Sequence, residues 1–173
     1  MWDTAYSRQY INSVVQHALK VKFAIASHTH FNDFKVFYNN AETPVPVAFM
    51  RIVPSICSNH GNNPSFEVAE FSAATGRVVK ETNHYLNLAD VPKGNTDYAL
   101  KWNDQLMTAG FLDGEINARN FSKEIDKVKN DRTWKTLGNY IKFYTVGTHI
   151  DSNYTINHAN YMKYLQADSL KAK

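Results

Sequence analysis

The chain has 173 residues, the length of one ordinary globular domain at roughly 150 residues per domain. Hydrophobic residues make up 43% and charged residues 20%, which excludes a disordered, collagen-like or coiled-coil chain. The net charge of +3 comes from interleaved acidic and basic residues, too weak a bias for a nucleic-acid partner. The sequence contains no run of about 18 apolar residues, so it predicts no membrane-spanning helix. The single Cys57 excludes an internal disulfide framework.

The first 90 residues predict one helix and about five strands. The helix is expected over residues 4–19, with Thr4 as its N-cap. Its apolar stripe, read at helical spacing, contains Tyr6, Tyr10, Val14, His17 and Ala18. The apolar run 21–26 follows at once and predicts a buried strand. Further strands are predicted where apolar residues recur, at 34–38, 46–53, 66–72 and 77–86.

The pattern changes after residue 88. Residues 91–97 contain Pro92 and Gly94 and predict a linker, whereas residues 98–112 are ambiguous. Helical spacing of apolar residues predicts helices at 118–130, 131–146 and 154–167. We therefore divide the chain into a mixed α/β part, 1–90, and a helical part, 91–173.

Two histidines follow the first predicted strand, in the segment Ser27-His28-Thr29-His30. Ligands in α/β sheets collect at the carboxyl ends of strands. Neutral imidazole is the commonest metal ligand, and two imidazoles two residues apart on a loop can reach two ions or straddle one. The alternative is a histidine pair that only makes hydrogen bonds within a turn.

The surrounding segments resemble one family, in order along residues 23–88. These are the His-Thr-His loop, the strand Asp33 to Tyr38, Val53-Pro54-Ser55-Ile56, Gly61-Asn62-Asn63-Pro64, the Thr75-Gly76 hairpin and Tyr85-Leu86-Asn87-Leu88. Together they are similar to the C-terminal part of the acid-sphingomyelinase-like phosphodiesterases, which are calcineurin-like metallophosphoesterases. Residues 98–146 resemble the helical C-terminal subdomain of that family more loosely.

The resemblance implies a partial αββα sandwich followed by a helical subdomain, and a phosphoester substrate. It also implies two divalent metal ions, zinc-like or iron-like, in the complete enzyme. By the motif, His28 would bind one ion and His30 the other, with His30 also near the nucleophile. Relatives of this kind are commonly secreted, lysosomal or periplasmic.

The sequence departs from the family pattern at three points. Ser27 stands where the family has Gly, which would strain the histidine loop if that position needs a positive φ. The upstream metal motifs of the family, among them Asp-X-His, do not occur. The last residues, 147–173, lack the cysteines that eukaryotic relatives carry. Even a mononuclear catalytic zinc typically takes three protein ligands. We therefore expect the C-terminal portion of an enzyme, which is inactive alone and need not bind the metals of the complete enzyme.

Two loop residues and two alternative functions complete the expectations. The resemblance places Asn59 and His60 near the metal site, as rim residues that contact substrate, although His60 also fits an ordinary exposed loop histidine. One alternative is a non-catalytic binding or assembly module whose uncovered sheet binds the N-terminal half or a second copy. The other is a self-contained metal site formed by His28 and His30 with a third ligand from His60, His84 or Asp33.

Overall fold

The computed structural model describes residues 4–21, 23–39, 42–92, 94, 101–106, 111–131, 135–147 and 169–171. The elements in chain order are α1 (Thr4–Gln16), β1 (Ala24–Ala26), β2 (Asp33–Tyr38), β3 (Pro46–Ile52), β4 (Ser65–Phe71), β5 (Val78–Leu86), a 3-10 turn (Leu88–Asp90), β6 (Trp102–Leu106), α2 (Ala118–Asn130), α3 (Lys135–Tyr144) and β7 (Ser169–Lys171). This confirms the mixed α/β class, with one helix and five strands in the first 90 residues. The predicted helix at 154–167 and most of the predicted linker lie outside the described residues.

The strands form two sheets. The first has the order β1-β3-β2-β7, in which β2 and β3 are antiparallel while β1 and β7 pair in parallel with β3 and β2. The second is an antiparallel sheet in the order β4-β5-β6. The ambiguous stretch at 98–112 thus contains a strand, β6, which pairs with the C-terminal half of β5, residues 82–86.

The first helix packs on one face of the first sheet. Val14 is buried against Phe37 and Ala48, and Tyr10 meets Phe37 edge to face at 6.1 Å. The residues packed around them include Ile11, Val15 and Ala18. The predicted stripe was therefore wrong at Tyr6, which is 67% exposed. The helix begins at Thr4 itself and ends at Gln16, so Thr4 is its first residue and not its N-cap, and His17 follows in an exposed turn.

The first strand is shorter and more exposed than predicted. Among the described residues of this run, only Ala24–Ala26 pairs, with residues 50–52 of β3, and Ile25 is 60% exposed. The expectation of a buried strand was wrong, because within the described part of the chain β1 pairs with β3 on one side and has no strand on the other. Beside it, the Phe23 ring contacts Phe49 of the first sheet at 5.8 Å and Phe71 of the second at 5.5 Å.

The two later helices cover the other face of the first sheet. The Phe121 ring lies 4.5 Å from that of Phe34 and 5.1 Å from that of Phe49, between ring centroids. The other helix-region residues buried in this core are Phe111, Leu112, Ile116, Ala118, Ile125, Val128, Leu137, Tyr140, Ile141 and Phe143. Burying a large apolar side chain contributes about 1.5–3 kcal/mol, so this core dominates the stability of the sheet. The division of the chain near residue 90 stays a prediction.

The outer face of the second sheet is not covered by any described residue. Along β4, Ser65 is buried, while Phe66 and Val68 are 41% and 45% exposed. Trp102 of β6 is 48% exposed and meets Phe66 edge to face at 5.1 Å. Within the described residues, the helices are neither long nor apolar enough to cross a membrane.

Candidate functional site

The two predicted ligand histidines lie in the loop that joins β1 to β2, and both have left-handed backbones. The φ angle is +96° at His28 and +69° at His30. A side chain at positive φ costs on the order of 1–2 kcal/mol, and such residues cluster at functional sites because the surrounding fold must hold them there. His28 is exposed and His30 is half-buried.

Ser27 does not carry the strain that its replacement of a glycine suggested. Among the described non-glycine residues, positive φ occurs only at His28, His30 and Val146. The left-handed positions therefore lie on the histidines themselves. The sequence pattern offered no clear signal for this, because positive φ is uncommon in residues other than glycine, although histidine adopts it more often than most.

A second loop, between β3 and β4, brings Asn59 and His60 to His30. The Nδ1 atom of His30 lies 3.2 Å from Oδ1 of Asn59, and the His30 and His60 ring centroids are 5.0 Å apart. The backbone N–H of Ser55 also donates to the His30 carbonyl at 3.2 Å. Since Oδ1 only accepts, this contact favours the tautomer of the neutral His30 ring that has its proton on Nδ1. A partner on one imidazole nitrogen is how proteins orient the other toward a metal.

His28 is not part of this contact group. No hydrogen bond or ring contact joins its described side chain to His30, Asn59 or His60. The predicted rim residues Asn59 and His60 are both exposed beside His30. The structure thus brings together three of the four predicted site residues, His30, Asn59 and His60. His28 lies in the same loop as His30 but outside this contact group.

Residues at the C-terminal end of α3 and directly after it anchor both loops. The Asn32 N–H donates to the Tyr144 carbonyl at 3.0 Å, and the Phe31 ring stacks on Tyr144 at 4.3 Å. The buried Asn63 donates from its backbone to Thr145 at 3.2 Å and from its amide group to the Val146 carbonyl at 2.9 Å. The helical region therefore fixes the two loops in register with each other.

Beneath the histidine loop lies a polar centre that joins the two sheets, which we call the Arg51 centre. Arg51 of β3 is fully buried and donates to Glu67 of β4 at 2.6 Å and to Glu81 of β5 at 2.8 Å. It also donates to the Asn32 side chain at 2.6 Å and to the Asp33 carbonyl, both at the exit of the histidine loop. The Phe143 ring of α3 packs over its guanidinium at 5.4 Å. Four polar groups from three strands and one loop thus converge on one cation.

The charges of this centre do not balance. Burial works against the charge of Arg51, but Glu67 and Glu81 outweigh it and raise the pKa of the guanidinium. Burial raises the pKa of Glu81, and Glu67 adds to the rise while Arg51 opposes it. The Oε1 atom of Glu81, Oδ1 of Asn83 and Nδ2 of Asn32 are buried without a hydrogen-bond partner among the described residues. Sequence reasoning missed this centre, because a lone Arg and two Glu in strands predict solvent-facing side chains.

The donors near the histidine loop fit only part of a metal centre. Imidazole suits zinc-like and iron-like ions, but the described residues contain no group of three His, Cys, Asp or Glu side chains able to hold an ion. Asp33 pairs with Lys35 at 3.1 Å and accepts from Tyr140 at 2.9 Å. His84 stacks on Phe66 of the second sheet at 5.0 Å. The alternative of a self-contained site completed by His60, His84 or Asp33 was therefore wrong.

An open cleft of about 770 Å³ lies elsewhere, between α1, β3 and the start of α2. Its walls are mainly apolar, with Arg77 and Arg119 among the polar lining residues. None of the predicted site residues lines it, so the cleft and the histidine loop are separate features.

Comparison with known proteins finds distant phosphodiesterase relatives. Sphingomyelin phosphodiesterase A of Dictyostelium discoideum is 29% identical over 75 residues, which cover 43% of this chain and 12% of the relative. Acid sphingomyelinase-like phosphodiesterase 3b of Homo sapiens is 22% identical over 151 residues, 82% of this chain and 32% of the relative. The protein of the same name from Mus musculus is 22% identical over 109 residues, 56% of this chain and 24% of the relative.

The similarity supports a relationship to the sphingomyelin phosphodiesterase-like proteins. The chain spans about a third or less of the length of these curated relatives. No family model matches it. What the relatives' names describe is thus a property of proteins about three or more times as long as the aligned part of this chain.

Proposed function

We propose that this chain supplies part of a metal-dependent phosphodiesterase or phosphatase site, with His28 and His30 as ligands of two different divalent ions. The observation that carries this proposal is the histidine loop, because two left-handed histidines separated by one residue cost free energy, and backbone strain of this kind clusters at functional sites. The distant similarity to sphingomyelin phosphodiesterases is the second support.

The site residues have distinct roles in this proposal. Asn59 holds the His30 ring through Nδ1, so that Nε2 is presented for metal binding, and His30 lies next to the nucleophile. Asn59 and His60 also form the rim that contacts the phosphoester substrate. When bound, the two ions would neutralise the phosphoryl group and activate water for attack.

The remaining ligands come from outside the described residues in this proposal. Two imidazoles cannot hold a dinuclear centre, and the described residues contain no third partner for them. The chain alone is therefore expected to hydrolyse no phosphoester, although the complete enzyme would.

Metal titration and hydrolysis test the proposal together. Isothermal titration of the 173-residue chain with Zn²⁺ should show weak binding that His28→Ala and His30→Ala each reduce, with His17→Ala, at an exposed turn, as the matched control. Bis-p-nitrophenyl phosphate with added Zn²⁺ or Mn²⁺ should show no chelator-sensitive turnover. Binding unaffected by either loop variant would overturn the ligand roles, and turnover by the chain alone would overturn the need for further ligands.

A second candidate function, partner binding, is favoured by the exposed outer face of the second sheet. Phe66, Val68 and Trp102 form a contiguous apolar surface of the kind that marks interaction sites. The partner in this proposal is an N-terminal half or a second copy of the chain. Size-exclusion chromatography with light scattering tests the second copy, since a monomer at high concentration would contradict it.

A further inference from the structure

We propose that Arg51 is a positioning residue for the histidine loop, and that it sets which nitrogen of the His30 ring is presented at the site. This inference rests on the proposed function of that loop. Arg51 touches neither histidine. It acts through the two residues that follow His30 and Phe31 in the chain, Asn32 and Asp33.

The acceptors around the guanidinium fall into two groups, a loop side and a sheet side, and Nη2 donates to one acceptor of each. On the loop side, it donates to the Asn32 side-chain oxygen at 2.6 Å and to the Asp33 carbonyl. On the sheet side, it donates to Glu67 at 2.6 Å and Glu81 at 2.8 Å. A planar guanidinium presents its N–H groups in fixed directions, so the loop exit is locked to both sheets at once.

The position of this lock explains how the strained loop is held. The backbone at His30 is left-handed, and two residues later the chain enters β2. With Asn32 and Asp33 fixed by Arg51, and the Asn32 N–H fixed by Tyr144, the loop cannot relax toward ordinary φ by shifting its exit. The His30 ring is then kept against Asn59, and Asn59 selects the proton on Nδ1.

An ordinary structural role would not need this chemistry. A buried cation with two carboxylates is no more stable than well-packed apolar side chains of the same volume. Apolar residues at positions 51, 67 and 81 together would pack between the sheets but could not donate to the amide oxygen and the carbonyl of the loop. The cation is thus explained by what it holds.

The test measures the His30 ring without any metal. In ¹⁵N-labelled full chain at pH 8, the two ring nitrogens of His30 should give widely separated signals of a single tautomer. In Arg51→Lys, which keeps the charge but loses the planar fork, the two signals should move toward a common averaged position. Backbone amide spectra establish that the variant is folded.

Glu81→Gln is the matched control. It alters the same buried centre on the sheet side and leaves the Asn32 and Asp33 contacts in place, so the His30 signals should stay as in the wild type. Unchanged His30 signals in folded Arg51→Lys would overturn the proposal. Equal averaging in Glu81→Gln would also overturn it, because the effect would then be general loosening.

A second variant serves if Arg51→Lys does not fold. Asn32→Ala removes one loop-side acceptor and keeps the backbone hydrogen bond to Tyr144. It should average the His30 signals in the same way, and unchanged signals would refute the positioning role. Since no metal is present, failure here is distinct from failure of the Zn²⁺ titration, which bears on the proposed function alone.

Discussion

The histidine loop and the Arg51 centre are neighbours in space but opposite in physical character. His28 is exposed and His30 is half-buried, and Asn59 and His60 of the second loop are exposed beside His30. Arg51 is fully buried, and Glu67 and Glu81 have side chains at most 4% exposed. The histidine loop keeps its imidazoles accessible and has a strained backbone. The Arg51 centre holds charged groups that have lost their hydration. In our proposal, the accessible histidine loop depends on the buried Arg51 centre, which fixes the exit of that loop.

Removing the charge of Arg51 should give the largest difference in the free energy of unfolding between the two regions. Arg51→Met leaves two carboxylates buried without their cation and should lower the free energy of unfolding by about 3–5 kcal/mol. His60→Ala at the exposed rim should change it by less than about 0.5 kcal/mol. Urea denaturation followed by circular dichroism measures both, and equal losses would break the comparison.

Two asparagines of one loop give a smaller and closely matched contrast. Asn63 is buried, donates to the Val146 carbonyl and accepts from the Leu88 N–H at 3.1 Å, whereas Asn59 is exposed and its side chain contacts His30. Asn63→Ala leaves the buried Val146 carbonyl and the part-buried Leu88 N–H without this partner and should cost about 2–3 kcal/mol. Asn59→Ala should cost about 0.5 kcal/mol or less. Thermal unfolding of the two variants would separate them, and a larger loss for Asn59→Ala would contradict the structure.

The raised pKa of Glu81 predicts a pH dependence confined to the buried centre. A carboxyl whose folded pKa exceeds its unfolded pKa binds more protons in the folded state. Its stabilising contribution is complete below the unfolded pKa, about 4.5, and is lost as the pH rises through the folded pKa.

The Gln side chain of Glu81→Gln does not titrate. The free energy of unfolding of this variant, relative to that of the wild type, should therefore increase as the pH is raised from 4.5. The control is Glu70→Gln, which removes an exposed carboxylate paired with Lys80 on the same sheet. Urea midpoints at several pH values measure both differences. A Glu81→Gln difference that shrinks with rising pH would show the opposite sign of linkage.

The smallest effect concerns backbone strain in the histidine loop. His28→Gly relieves a left-handed side chain and should stabilise the fold by up to about 1 kcal/mol, after the entropy that glycine loses on folding. Ser27→Gly, at the adjacent residue without positive φ, should instead destabilise it by about 0.5–1 kcal/mol. Shifts of opposite sign in the denaturation midpoints of the two variants would confirm the strain at His28. A lower midpoint in both variants would contradict it.

Local patterns predicted the positions of the strands and of the histidine loop, but not the Arg51 centre. The alternating runs located β2 to β5 within one or two residues, and the His-Thr-His segment fell in the loop after β1 as expected. In β4, however, the buried face carries Ser65 and Glu67, whereas Phe66 and Val68 are exposed. Hydrophobic periodicity alone assigns the apolar face to the interior, so it points the wrong way in this strand. The partner that reverses it, Arg51, belongs to the other sheet.

Tertiary contacts also decided the elements that the patterns misjudged. Tyr6 has the right spacing for the α1 stripe, but the helix crosses the sheet only from Tyr10 onward. The apolar run before the histidines is long enough for a buried strand, yet only three residues pair, on one side. Spacing cannot reveal how far an element extends past its partner.

The anchoring of both loops by the end of α3 has a kinetic consequence. The hydrogen bonds from Asn32 to Tyr144 and from Asn63 to Thr145 close chain segments of more than 80 residues. Contacts at such separation form late, because loop closure precedes the free energy they return. We therefore expect the strands to pair before the loops are ordered, so that the geometry of these two loops is the last part of the molecule to form and the first to be lost.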